Sequence, residues 1–178
     1  MRKIIAFTLL AINCMAVHAL PDWMPGKDAI EKHQLESWNK ENSSLYKLDL
    51  QGMKVINEEY SRELSGLSFT GYVQNSTSEN IDSWIVELRA IDKRTKTVVL
   101  VTKTRLHWPA PRTLNRRFDN IKFRMYFGQS QYQKIATSLG ANFEWNGRLI
   151  NSIPQKYKDY QVDNIFKIES GDNFFSNE

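Results

Sequence analysis

The chain is poor in the residues and patterns from which most enzymes and metal sites are built. It has one cysteine and three histidines in 178 residues. It contains no His-x-His or His-Glu-x-x-His pattern, no Asp-rich calcium loop, no Gly-x-Ser-x-Gly elbow and no Gly-rich phosphate loop. The sequence therefore predicts no metal, no cofactor and no catalytic set.

The N-terminal segment has the pattern of a secretory signal peptide. Two basic residues at positions 2 and 3 precede the acid-free apolar run 4–17, and a small-residue cleavage site follows at Ala19. We expect cleavage after Ala19, so that the mature chain begins at Leu20. The sequence thus predicts a periplasmic or secreted protein.

Two other interpretations of this segment are open. A membrane anchor is disfavoured because the run 4–17 is shorter than the roughly 20 residues that a spanning helix needs. A lipoprotein would use Cys14, but Asn13 stands where a small residue normally precedes the modified cysteine. If the cut follows Ala19, the mature chain has no disulfide, no thiolate nucleophile and no Cys-ligated metal.

The charge of the chain is mixed. The sequence has 24 basic and 20 acidic residues, and loss of Arg2 and Lys3 leaves 22 against 20, a net charge of +2. Such a surface lacks the electrostatic footprint of a nucleic-acid-binding protein, so no nucleic-acid partner is predicted. The remaining length suits one domain.

The region 45–127 shows the alternation of half-buried strands. We expect strands at 45–56, 67–75, 84–92, 97–106 and 121–127, with Gly52 as a bulge or bend in the first. One face of these strands predicts a core of Phe69, Trp84, Val86, Leu88, Phe123 and Met125. The fold class is mainly β, an antiparallel Ig-like β-sandwich.

Flanking segments add helices and turns. The sequence predicts a short helix from Asp28 to Asn39, with Ile30, Leu35 and Trp38 on its apolar face. A second helix over 130–139 ends at Gly140. A hairpin over 142–151 with an Asn146-Gly147 turn and a last strand over 162–169 follow.

We expect four segments in the chain. They are a signal peptide (1–19), a lead-in with a short helix (20–44), the β-sandwich core (45–128), and a C-terminal helix and hairpin appended to the same domain (129–178).

The β region resembles a known family of small exported modules. A strand of the form Gly-x-Val-x-Asn-x-Thr precedes a strand with Val-x-Leu and a closing aspartate, as in bacterial modules of the FxLYD and late-embryogenesis-abundant (LEA) kind. The matching residues are Gly71, Val73, Asn75, Thr77, Val86, Leu88 and Asp92. The aromatic-Leu-Tyr-Asp signature itself is replaced by the sequence from Leu88 to Asp92. The resemblance implies a β-sandwich that binds or assists other molecules.

One loop concentrates residues typical of binding surfaces. The segment from Leu106 to Arg117 brings together a histidine, a tryptophan, two prolines and three arginines. Arginine and tryptophan are enriched at interface hot spots, and prolines limit the entropy lost on docking. The candidate binding residues are His107, Trp108, Arg112, Arg116 and Arg117. The alternative is a solvated loop whose tryptophan covers one end of the fold.

Three functions compete at this point. The first is a non-enzymatic binding or accessory module that contacts an acidic or glycan-bearing partner in a bacterial envelope or secretion assembly. The second is a carbohydrate or cell-wall-binding module that uses exposed aromatics. The third is a hydrolase, which would need a cleft that joins His107 to a carboxylate and a hydroxyl.

Overall fold

A computed structural model describes residues 19–57, 64–107, 116–128 and 135–168, with backbone alone along most of the fifth strand. The elements in chain order are α1 (Lys27–Asn42), β1 (Tyr46–Asn57), β2 (Leu64–Asn75), β3 (Ile81–Asp92), β4 (Val98–His107), β5 (Arg116–Gly128), β6 (Phe143–Pro154), a 3-10 turn (Gln155–Tyr157) and α2 (Val162–Phe166). Residues 135–139 are also helical. The protein is mainly β, as predicted.

The six strands form two antiparallel sheets with the orders β1-β2-β5 and β4-β3-β6. The strand boundaries follow the predicted ones closely, but β5 begins at Arg116, within the stretch expected to be a connection. The predicted bulge at Gly52 is confirmed. The β1–β2 register shifts between Gln51 and Lys54, and Gly52 has a positive φ of 61°, which glycine adopts without steric cost.

One hydrophobic cluster joins side chains of both sheets and of the helices. The predicted core residues Phe69, Trp84, Val86 and Leu88 are all buried. Register places the backbone of Phe123 opposite Phe69, but the side chains of Phe123 and Met125 lie outside the described part. The eight residues 81–88 of β3 are all buried, because β3 is the middle strand of its sheet and is covered on both faces.

Helix α1 is longer than predicted and buries a different face. Leu35 and Trp38 are buried as expected, but Ile30 is 42% exposed and the neighbouring Glu31 is fully buried. Helical periodicity places position 31, not position 30, on the same face as 35 and 38. Asn39 lies on this inner face as well and bonds to the backbone of Ser152 in β6.

The predicted hairpin at Asn146-Gly147 is wrong. Both residues lie inside the single long strand β6, which pairs with β3 from Phe143 to Pro154. A type I′ turn needs positive φ at both central residues, and neither residue has it. A larger residue at position 147 would clash, because a Cβ there would lie 2.4 Å from the Met53 side chain of β1.

The predicted last strand over 162–169 is also wrong, because residues Val162–Phe166 form α2. Val162, Ile165 and Phe166 are buried, and their spacing is that of one face of a helix. Gly140 has the positive φ of 57° expected after a helix end. Within the ranges that the structure describes, no helix has the length and hydropathy of a membrane-spanning segment.

Candidate functional site

Of the five predicted binding residues, His107 lies at the end of β4, beside a buried ion pair. The side chain of His107 is 52% exposed, and its Nδ1 lies 3.9 Å from the Asp82 carboxylate. Arg105 holds the same carboxylate at 3.1 Å and donates through Nε to the Ser83 hydroxyl at 2.7 Å. These contacts join the end of β4 to the start of β3.

Among the described residues, Ser83 and Asp82 are the ones with which His107 could form a Ser-His-Asp set. Ser83 is the cross-strand partner of His107, and Asp82 precedes it. However, Ser83 is completely buried and its oxygen accepts a hydrogen bond from Arg105. A serine nucleophile must donate to its base and must be open to substrate. Ser83 therefore anchors Arg105, and the geometry does not favour the hydrolase hypothesis.

Among the other predicted residues, the structure describes the side chain of Arg117 alone. Trp108 and Arg112 lie outside the described residues, as does the side chain of Arg116. Arg116 is the first residue of β5. Arg117 belongs to the other sheet, where it pairs with Asp119 at 2.9 Å and lies over the ring of Tyr72. The sequence analysis thus grouped His107 and Arg117, which belong to different sheets.

A charged surface that the sequence did not single out covers the outer side of the β4-β3-β6 sheet. Two cross-strand rows form it, Lys103–Glu87–Arg148 and Val101–Arg89–Asn146. We call the group Glu87, Arg89, Val101, Lys103 and Arg148 the Glu87 face. Three cations and one carboxylate give it an excess of positive charge. Val101 adds an apolar side chain that is 46% exposed.

Glu87 holds the two arginines of this face in place. Its Oε1 accepts hydrogen bonds from Arg89 Nε at 2.7 Å and from Arg148 Nε at 2.8 Å. Burial raises the pKa of Glu87, but the hydrogen bonds and charges of Arg148 and Arg89 outweigh burial and bring the pKa below its ordinary value. The carboxylate therefore stays charged at neutral pH. The side chains of Arg89 and Arg148 remain 35% and 56% exposed, so they are fixed yet accessible.

A shallow depression occurs on the outer side of the β1-β2-β5 sheet. Its volume is about 240 Å³, and its lining residues are Gln51, Thr70, Gly71, Tyr72, Arg117 and Asp119. The guanidinium carbon of Arg117 lies 4.5 Å from the centroid of the Tyr72 ring, and Lys47 Nζ lies 5.2 Å from it. We call this site the Tyr72 depression.

Two strand irregularities border the Tyr72 depression. Gln51 directly precedes the β1 bulge, and the β2–β5 register shifts between Gly71 and Val73. Bulges redirect side chains and are enriched beside functional sites. Here the second shift places Tyr72 beside Asp119 and Arg117, so an aromatic ring, a guanidinium and a carboxylate share one concavity.

The Asn and Thr of the sequence motif have a local structural role. The Asn75 carboxamide oxygen accepts hydrogen bonds from the backbone and the hydroxyl of Thr77 at 3.1 and 2.7 Å. Its amide donates to the Glu79 carbonyl at 2.9 Å. These bonds close the loop between β2 and β3, as Asx turns do. Asn75 and Thr77 thus shape the loop between β2 and β3.

Comparison with protein-family models, with curated proteins and with solved structures finds no match to this chain. Among the residues that the structure describes, no group of three or more histidine, cysteine or acidic side chains is arranged to hold a metal ion. The two outer sheet surfaces must therefore be interpreted from their own chemistry.

Proposed function

We propose that this chain is an exported, non-enzymatic binding or accessory module that acts through its surface in a bacterial envelope or secretion assembly. The observation that carries the proposal is the Glu87 face. Interface hot spots are enriched in arginine, and fixed side chains lose less entropy on binding. Arg89 and Arg148 are already fixed by Glu87, beside exposed Val101.

The excess of positive charge defines the chemistry of the partner. Three cations surround one carboxylate that is itself engaged by two of them, so the outward field of this face is positive. Complementary potentials favour an acidic surface on the partner and accelerate the encounter. The outward row of β4 also leads from Val101 and Lys103 to Arg105 and His107. The Glu87 face is therefore continuous with the start of the segment 106–117 that the sequence singled out.

We also propose that the two sheets form an Ig-like β-sandwich of the FxLYD and late-embryogenesis-abundant kind. The support is the pair of three-stranded antiparallel sheets with a shared core, in which β1 lies against β6. Folds of this class act through loops and exposed sheet faces. This architecture suits a module that positions a surface for a partner.

The binding function is tested by capture from envelope extracts. The variant Glu87→Gln/Arg89→Gln/Arg148→Gln removes the charges without leaving a buried carboxylate unpaired. We expect it to fold and to lose capture of the partner, with binding at least about tenfold weaker. Capture by the wild type should weaken as salt rises, since solvent-exposed charges are screened.

The matched control is Lys47→Gln/Arg117→Gln, which removes two cations from the other sheet. It should keep wild-type capture. The opposite pattern, with loss only in the control, would show that the interface lies on the β1-β2-β5 side and would contradict the assignment to the Glu87 face.

A second candidate function, carbohydrate binding, is favoured by the Tyr72 depression. An aromatic ring next to paired donor and acceptor groups suits a ring that carries hydroxyl groups, and Arg117 and Asp119 supply both kinds of group. Glycan-array binding that is lost in Tyr72→Ala would support this function at the depression. Loss in Trp108→Ala would place it in the segment 106–117, and no glycan retention by the wild type would exclude it.

A further inference from the structure

Glu31 of α1 is a carboxylate in an unusual position. The residue is fully buried. Its Oε1 accepts a hydrogen bond from the backbone nitrogen of Leu20 at 3.3 Å, and its Oε2 accepts one from the backbone nitrogen of Gln161, also at 3.3 Å. Both donors are neutral amides in the uncut chain, and both hydrogen bonds are long.

A buried carboxylate is costly when neutral donors alone compensate for its charge. Lys27, one turn earlier on α1, is a basic residue on which the charge of Glu31 acts. Its ammonium is bonded to Asp22. That hydrogen bond is the main cause of the raised pKa of Lys27, and the charge of Glu31 adds only a smaller contribution. Tyr160 is another neighbour. Burial is the main cause of its raised pKa, and the charges of Tyr157 and then Glu31 contribute less. Tyr160 carries no positive charge.

Leu20 is the residue that cleavage after Ala19 would turn into the N-terminus. The geometry points to a maturation contact: removal of the signal peptide converts the Leu20 nitrogen into an ammonium group that forms an ion pair with buried Glu31. The inference rests on the export and the cleavage site proposed above. The reaction is hydrolysis of the Ala19–Leu20 peptide bond. The new amine takes up a proton at neutral pH, because an α-amino group has a pKa of about 7.7–8.0.

This contact would couple cleavage to stability. In the precursor, Glu31 faces the neutral peptide N–H of Leu20. In the mature chain, the same atom carries a positive charge directly at the carboxylate, and the lead-in is tied to α1 and to the start of α2. The mature protein is then more stable than its precursor, so the fold is completed after export.

The test uses protein that cells have exported and processed, with Leu20 confirmed as the first residue by mass spectrometry. The α-amine is acetylated in urea and the protein is refolded. Acetylation keeps an N–H at Leu20 and removes the charge, which reproduces the precursor. We expect the folding equilibrium constant of the wild type to fall about tenfold or more, because a buried charge loses its partner.

Two variants separate the ion pair from other effects. In Glu31→Gln, acetylation should change the folding constant less than about twofold, because no buried charge is left to compensate. Glu36→Gln is the matched control, since Glu36 is a half-exposed carboxylate on the same helix. It should keep the full sensitivity to acetylation. Equal sensitivity in Glu31→Gln and in the wild type overturns the inference.

A measurement on the wild type covers the case in which Glu31→Gln does not fold. The Leu20 amine of the native protein should react with an acylating reagent at least about tenfold more slowly than in urea, because an ion-paired ammonium is protonated and shielded. Equal rates overturn the inference. So does an exported protein that begins at another residue. Neither result affects capture through the Glu87 face, so failure of the inference and failure of the binding function are distinguishable.

Discussion

Asn39 provides the most demanding test of how the helical layer is attached to the sheets. It lies on the inner face of α1, and its side chain bonds to three other residues. Its amide donates to the carbonyls of Leu35 at 2.8 Å and Ser152 at 2.9 Å. Its carbonyl oxygen accepts from the Ser152 nitrogen at 2.7 Å and from the hydroxyl of Tyr46. One side chain thus joins α1 to β6 and β1.

The expected cost of Asn39→Ala follows from the groups that lose their partners. Ser152 is completely buried, so water cannot replace Asn39 at its backbone nitrogen or its carbonyl. A buried polar group left without a partner costs about 1–3 kcal/mol. Ser152 has two such groups, and the Tyr46 hydroxyl can rotate. We therefore expect Asn39→Ala to lower the free energy of unfolding by about 3–5 kcal/mol. That is a large part of the roughly 5–15 kcal/mol that stabilises a domain.

The assay is urea unfolding followed by circular dichroism, with Asn42→Ala as the control. Asn42 lies at the end of the same helix, and its side-chain amide donates a hydrogen bond to the Trp38 carbonyl at 2.9 Å. We expect that variant to lose no more than about 1 kcal/mol. An Asn39→Ala protein within about 1 kcal/mol of the wild type, or equal to Asn42→Ala, would refute the reasoning.

Three further predictions concern single positions. Because the folded pKa of Glu87 is depressed, its stabilising effect is present above the unfolded value of about 4.3 and is lost as pH falls through the folded value. The difference in melting temperature between wild type and Glu87→Gln should therefore shrink as pH drops below about 4, and a constant difference would contradict the ion-pair assignment. Gly147→Ala should lower the free energy of unfolding by about 1–3 kcal/mol through overpacking against Met53; an unchanged urea midpoint would contradict the close contact. Asn75→Ala should speed hydrogen exchange at the Thr77 amide at least about tenfold, whereas unchanged exchange would mean that the loop does not depend on Asn75.

The sequence by itself determined the features that depend on neighbouring residues. Strand alternation is a period of two, so the inward positions Phe69, Trp84, Val86 and Leu88 were identified without any knowledge of their partners. Gly52 and Gly140 were predicted correctly for the same reason, because a positive φ is a local requirement that glycine meets. The candidate site was predictable only in part. Segment 106–117 was recognised by composition, and composition does not show that Arg117 belongs to the other sheet.

Tertiary structure decided the features whose cause is distant in the sequence. Gly147 looked like a turn residue, but Met53 of another strand determines its size. The sequence did not single out Glu87, and pairing with Arg148, 61 positions away, makes it the centre of a charged face. Glu31 is fully buried, and its Gln161 donor lies 130 positions further on. Local patterns identify which residues can be buried, whereas contacts between distant residues decide which charges are fixed and where they can act.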